Sequence, residues 1–411
     1  LQIDLRAKHL EVAGHLITEG EVITIDGTIG NVILGEAPTI NPELSGEFER
    51  LLAWADDVRT LGVRANADTP ENAKTAREYG AEGIGLCRTE RMFNAIDRLP
   101  IVQEMILADT ADAKRAALDR LMPMQKNDFK EILRVMEGLP VIIRLLDPPL
   151  HEFLPRFEDL LTDVTTRRLK GEKSKDLEAK ENTLRKVRLL SEANPMLGFR
   201  ACRLGIVNPE IYEMQVRAIL ETLVELTREG CDARPKIMIP GVGSAKELEF
   251  IGANIRRVAK EIQKEAGMTL QFEVGTMIEL PRACVTADEI AKTAEFFSFG
   301  TNDLTQTTFG WSRDDAEGKF VPQYIEKGVL SVNPFAVIDA KGVGALMRMC
   351  VKLGRSVRKG LEVGICGEHG GDPESIRFCH RAGLDYVSCS PFRVPIARLA
   401  AAQETIRKTG E

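Results

Sequence analysis

From Gly62 onward the chain repeats one texture, in which short apolar runs of six to nine residues alternate with longer amphipathic stretches. A run that is apolar throughout suits a strand buried on both faces, and a stripe of period 3.6 suits a helix laid across it. Regular alternation of the two therefore specifies repeated βα units around a parallel sheet. Strands are expected at residues 62–67, 83–90, 140–147, 196–203, 235–242, 272–280, 296–303 and 361–368. Eight such units close into a (β/α)8 TIM barrel. Residues 384–391 (LDYVSCSP) are a ninth candidate, so nine runs compete for eight places. Helices are expected between the strands, among them 209–228 and 246–265. Two connections are long. Residues 155–194 are charge-rich with a single glycine, which predicts a helical excursion; residues 311–334 read as turn-rich and follow a candidate site strand, where barrel enzymes carry lids.

The first residues read differently. Residues 10–35 are rich in Val, Ile and Thr and punctuated by Gly20, Asp26-Gly27 and Gly30, which predicts short strands joined by tight turns. Such a unit is too small to bury a core alone, so it is either the tail of a preceding domain or a hairpin packed on the rest. Asn41-Pro42 and Ser45-Gly46 mark a linker, giving expected domains at 1–40 and 41–411.

Charge narrows the function. With 55 Lys and Arg against 62 Asp and Glu, the net charge is −7. That argues against a mainly electrostatic nucleic-acid or membrane-surface binder, since neutralising phosphates needs a basic face. An anionic ligand must be met locally instead. No apolar run approaches 18 residues and residues 1–10 lack a secretory layout, so a soluble, cytoplasmic protein is expected, without a nucleic-acid or membrane partner. The chain opens without Met, so the natural protein is expected to extend upstream. Eight cysteines are scattered without CxxC spacing, as expected for reduced thiols.

The candidate site residues lie near the C-terminal ends of the expected strands. Arg88, Arg144 and Arg200 each close an apolar run, and a charge at that depth is costly unless paired. One reading pairs each with a local carboxylate such as Glu90 or Asp147; the other turns all three toward one mouth, as planar forks for a phosphate and a carboxylate. Glu279 and Asp303 end the sixth and seventh expected strands. Two acids there suit a hard divalent cation such as Mg2+, although they could instead pair with the arginines. Gly300, Thr301 and Asn302 precede Asp303 and offer close backbone approach and hydrogen-bond donors. Cys366 sits in the glycine-rich loop GICGEHGGD, and a thiol with a reference pKa of about 8.5 is still mostly protonated at neutral pH and can give up a proton. His369, beside Glu368, reads as a loop hydrogen-bonder rather than a nucleophile. No P-loop or dinucleotide fingerprint occurs.

The phrases GLCRTERMF, RLLDPPLHEFLP, NPMLGFRACRLG, EVGTMIELPRA, FFSFGTNDLTQTTFGWSRDD and GICGEHGGDP resemble the C-terminal phosphoenolpyruvate/pyruvate-binding portion of the pyruvate, phosphate dikinase family, from about residue 45 onward. Residues 1–40 resemble the last strands of that family's phosphohistidine domain. The resemblance implies that Arg88, Arg144 and Arg200 bind the phosphate and carboxylate of phosphoenolpyruvate (PEP), with Arg313 as a further phosphate contact. It implies Mg2+ on Glu279 and Asp303, a ligand lined by Gly300, Thr301 and Asn302, and an enolate protonated by Cys366. The implied reaction is ATP + pyruvate + phosphate to AMP + PEP + diphosphate, with a phosphohistidine domain as partner in cis. No TSHAA-type histidine motif occurs in these residues, so the chain alone is expected to lack the ATP half reaction. PEP synthase and enzyme I of the sugar phosphotransferase system share part of the motif set, although DPPLHEF, FGWSRDD and CGEHGGDP lean toward the dikinase. Two other classes compete: a Mg2+-dependent lyase or aldolase acting on a 2-oxo acid, and a non-catalytic 2-oxo acid sensor or assembly module. Residues 388–403 (SCSPFRVPIARLAAAQ) fit a barrel helix or part of a dimer surface, and a homodimer is the expected assembly.

Overall fold

The computed structural model describes residues 2–4, 7–12, 14–26, 31–38 and 46–409, and the chain divides into two compact units, Leu1–Leu51 and Leu52–Glu411. In the first, strands Gln2–Asp4, His9–Val12 and His15–Thr18 form a three-stranded antiparallel sheet, and Ile23–Asp26 pairs with Asn31–Leu34. Short strands were expected here, although Gln2–Asp4 lies ahead of the segment that predicted them. The turn residues 27–30 and all of the linker except Gly46 fall outside the described residues.

The second unit is a closed barrel of eight parallel strands in sequential order: β1 Gly62–Asn66, β2 Ile84–Arg88, β3 Pro140–Arg144, β4 Arg234–Ile239, β5 Glu273–Ile278, β6 Phe296–Phe299, β7 Glu362–Ile365 and β8 Tyr386–Cys389. The TIM barrel is as expected, but its membership needs one correction. Residues 196–203 are not a strand, and Tyr386–Cys389 from the ninth candidate closes the ring against β1. The reason is local. Pro195 opens a single 3-10 turn, Pro195–Leu197, in which Leu197 is 61 % exposed, and Ala201 begins a helix, Ala201–Val207. A barrel strand, covered on both faces, would not leave that leucine in water.

The helices follow their sequence signals. Helix Ala245–Ala266 starts at a capping box, with Ser244 and Glu247 exchanging backbone bonds, and stops at left-handed Gly267. It buries Leu248, Ile251, Ile255, Val258, Ala259 and Ile262, a stripe at helical spacing. Helix Pro209–Arg228 has the bounds read from the sequence, and the excursion after β3 folds as helices Phe157–Leu169 and Lys175–Leu190. The segment expected to be turn-rich after β6 carries two short helices, Arg313–Lys319 and Val321–Glu326. Its aromatic residues explain the order: Trp311 packs on Phe309 at 4.6 Å and on Phe320 at 5.1 Å between ring centroids.

Inside the barrel, Leu86, Ile142, Met238, Met277, Phe296, Cys366 and Tyr386 form a cluster of their own. It separates two charged ends. Toward the strand N-termini, Arg64 pairs with Glu362 at 2.9 Å, and Lys236 with Glu273 at 2.9 Å and Glu362 at 3.1 Å. Toward the C-termini opens the mouth. All eight cysteines are free, and among the described residues no helix is long and apolar enough to cross a membrane.

Candidate active site

Arg88 and Arg144, the last residues of β2 and β3, are direct register partners, so the parallel ladder sets two guanidiniums side by side at the mouth. Arg144 is 8 % exposed, pairs with Glu90 and lies 3.0 Å from Asp147. Burial works against its charge, but Asp147, Glu90 and Glu279 outweigh it and hold the guanidinium ionised. Asp147 also accepts from Arg200 at 2.6 Å, and Arg200 reaches Asp303 at 3.1 Å. A continuous line of opposite charges therefore runs Glu90, Arg144, Asp147, Arg200, Asp303. Arg88 stands apart from it. Its side chain is 32 % exposed and its nearest acid, Asp68, lies 3.9 Å away.

Glu279 follows β5 and is almost wholly buried; its Oε1 accepts the Gly241 N–H at 2.5 Å. Burial pushes its carboxyl well above the usual carboxylate range, with Asp303 and Asp147 adding to the rise and Arg200 and Arg144 opposing it. The inner mouth sets four carboxyls, Glu90, Asp147, Glu279 and Asp303, against two guanidiniums, Arg144 and Arg200, which leaves a deficit of two positive charges once all four acids are ionised. An all-oxygen donor pair with that deficit suits a hard divalent cation between Glu279 and Asp303. Among the described residues no cluster of three or more His, Cys, Asp and Glu could hold a metal. Such a cation would complete its shell from ligand and water oxygens. Gly300 makes the approach feasible, because a Cβ there would stand 2.7 Å from Met277 Sδ and 2.9 Å from Glu279 Oε2.

Cys366 follows β7 directly and is 2 % exposed. Burial pushes its thiol up, against the opposing pull of Ser298 and Arg144, so it stays protonated at neutral pH. From the segment after β6, Arg313 donates to Asn302 Oδ1 at 3.1 Å and pairs with Glu317 and Glu368, each at 2.7 Å. Arg88, Arg144, Arg200, Glu279, Asp303, Arg313 and Cys366 line one cavity of about 1350 Å³, bounded by Pro148, Phe153, Met196 and Trp311.

Residues 42–406 match the model of the PEP-utilising enzymes' PEP-binding domain. The chain belongs to the PEP-utilising enzyme family. It is 51 % identical over its full length to a pyruvate, phosphate dikinase of Entamoeba histolytica, of which it covers 47 %. It is 53 % identical to one of Rhizobium meliloti and 51 % to one of Clostridium symbiosum, in each case over 99 % of this chain and 44 % and 46 % of the relative. The chain thus spans about half the length of these relatives.

In this PEP-binding domain nine of the ten residues singled out in sequence line one mouth, whereas Thr301, expected to line the ligand, is fully buried behind it against His369, and two of the nine change setting. Arg200 lies not on a strand but at the N-terminus of helix Ala201–Val207, and Asp303 lies in the first turn of helix Thr301–Phe309 rather than at a strand end. Ala201 holds Arg200 in place through a left-handed backbone, φ 56°, with its N–H donated to the Asp147 carbonyl at 2.8 Å. Sequence reasoning gave Glu90 and Asp147 only as local partners. Asp147 in fact joins Arg144 to an arginine 53 positions away. The available signal was an acid three residues beyond a strand arginine, at the end of an apolar run.

Proposed function

We propose that this chain is the PEP/pyruvate-binding catalytic portion of a pyruvate, phosphate dikinase, interconverting PEP and pyruvate by phosphoryl transfer to and from a phosphohistidine on a separate domain. The observation that carries the reading is the convergence of Arg88, Arg144, Arg200, Glu279, Asp303 and Cys366 on one cavity. Relatives named pyruvate, phosphate dikinase at about half identity favour it over the synthase and enzyme I. The whole protein's ATP-driven reaction, and its use of a phosphohistidine domain in cis, are proposed on the same ground.

The three arginines take up the carboxylate and phosphate oxygens of PEP as bidentate forks, and Asn302 and Arg313 close over them. As the phosphoryl group passes to the histidine nitrogen, the P–O bond breaks and its electron pair remains on the enolate oxygen. Cys366 gives its thiol proton to the enolate carbon, which completes pyruvate and leaves a thiolate. The reverse order makes PEP. A Mg2+ ion on Glu279 and Asp303 would supply neutralisation of charge on phosphate and enolate oxygens. Lowering of the barrier would thus rest mainly on charge stabilisation at the mouth.

Calorimetric titration with oxalate, a planar mimic of the enolate, tests the reading. Mg2+-dependent binding by the wild-type chain, lost in both Arg144→Ala and Glu279→Ala, is the expected result. A folded wild-type chain that does not bind oxalate with Mg2+ would overturn it.

A further inference from the structure

His369 is 1 % exposed and lies three residues beyond Cys366, in the single turn Glu368–Gly371. No step of the proposed reaction uses it. Its Nε2 lies 2.9 Å from the Pro334 carbonyl oxygen and its Nδ1 2.8 Å from Thr301 Oγ1. A carbonyl can only accept, so Nε2 carries the hydrogen, Nδ1 is the acceptor, and the Thr301 hydroxyl donates to it. Burial also favours the neutral ring that this pattern requires. One tautomer of one ring therefore joins three pieces of the site. They are the Cys366 loop, the first residue of the helix that carries Asn302 and Asp303, and the end of the segment that carries Arg313. The fit between the first two leaves no slack, since a Cβ on Gly367 would stand 2.0 Å from Thr301 Oγ1.

We infer that His369 is a positioning residue that sets the reach of the Cys366 thiol to the enolate carbon, by fixing the Cys366 loop against Thr301 and Pro334. This deepens the proposed function and rests on it. Proton transfer to carbon is sensitive to such placement, for a shift of about 1 Å can cost roughly 10²-fold in rate. Ligand affinity is set by the arginines and carboxylates and does not follow.

The test is exchange of pyruvate methyl protons for solvent deuterium by the 411-residue chain with Mg2+, followed by proton NMR. In that exchange, run at alkaline pH so that Cys366 first gives its thiol proton to solvent base, the thiolate takes a proton from pyruvate C3, leaving the enolate. The thiol then trades its proton for a deuteron and returns it to the carbon. His369→Gln, whose amide reaches toward Pro334 but offers Thr301 no acceptor at the Nδ1 position, is expected to lower kcat for exchange at least about tenfold. KM and oxalate affinity should stay within about threefold. His369→Asn places an amide oxygen near the Nδ1 position and should recover most of the rate. Thr301→Val, which removes the other half of the bond, should lower kcat in the same way and add little to His369→Gln in the double variant. Equal kcat in the wild type, His369→Gln and His369→Asn, with the wild type binding oxalate and exchanging, overturns this inference alone. A wild type that does neither overturns the function beneath it.

Discussion

Both ends of the barrel are lined with buried charge, and the two ends are built to opposite rules. At the floor, Arg64 and Lys236 meet Glu273 and Glu362 two against two, and the Arg64 guanidinium also stacks over Tyr386 at 3.8 Å. At the mouth, Arg144 and Arg200 face four carboxyls. Among the described residues Arg144 Nε, Glu90 Oε2 and Asp147 Oδ1 are buried there without a hydrogen-bond partner, a state in which no atom of the four floor residues is found. The acids titrate accordingly, Glu362 held below the usual range and Glu279 pushed well above it. Residue types are alike at the two ends, although the floor acids Glu362 and Glu273 are more exposed than Asp147 and Glu279. What separates a structural charge cluster from a candidate site is whether the chain balances it by itself.

Exchanging roles between the ends gives the largest expected effect. Arg64→Ala leaves Glu362 short of a buried partner and should lower unfolding free energy by about 3 kcal/mol, with oxalate affinity of the folded protein within about twofold of wild type. Glu279→Gln should do the reverse, leaving the ligand-free urea midpoint unchanged or raised while removing Mg2+-dependent oxalate binding. Urea unfolding and calorimetry on both variants decide it. If Arg64→Ala weakened oxalate as much as Glu279→Gln, the division between floor and mouth would fall.

The same contrast shows what a reader of the sequence can recover. Apolar runs and helical stripes are local, so the barrel, the helix Pro209–Arg228 and the excursion after β3 were all legible. Strand ends were not. Seven of the expected runs extend one to four residues beyond their observed strands at the C-terminal side, from Ala67 beyond Asn66 to Asp303 beyond Phe299, because the residues of the following turn continue the run in sequence. In the structure these residues sit on the turns after the strands, where side chains face the mouth instead of alternating across a sheet. The misplaced strand at 196–203 has the same origin, an apolar run bent over the mouth by Pro195 and Ala201. Long-range pairings such as Arg200 with Asp147, or Arg64 with Glu362 across 298 positions, leave no periodic trace. The resemblance supplied the sites for which periodicity gave no signal.

A smaller effect is expected where the mouth is held by backbone rather than charge. Gly241 has φ +66°, and a Cβ there would stand 2.5 Å from the Ala201 Cβ, itself in the left-handed region. Gly241→Ala should therefore cost about 2 kcal/mol from strain and contact together. Because Ala201 follows Arg200 and the Gly241 N–H holds Glu279, it should also weaken oxalate, unlike the floor variant. An urea midpoint and oxalate affinity both equal to wild type would mean that this corner relaxes freely and does not set Arg200.

The smallest effect is a pH dependence confined to the floor. Burial raises the Glu362 carboxyl, but Arg64 and Lys236 together outweigh it and hold it below the ordinary 4.5. A carboxyl lowered on folding stabilises fully above its unfolded value, and that contribution is lost as pH falls through the folded one. Wild type should therefore exceed Glu362→Gln in urea midpoint at neutral pH, and the gap should narrow only below about pH 4.5. Acids elsewhere titrate in both proteins and cancel in the difference. Arg64, Lys236, Glu273 and Tyr386 are the groups around this carboxyl, and Arg64 and Lys236 pair with it directly. A gap that closed between pH 7 and 5 would point to a Glu362 carboxyl raised rather than lowered, and the floor would then resemble the mouth.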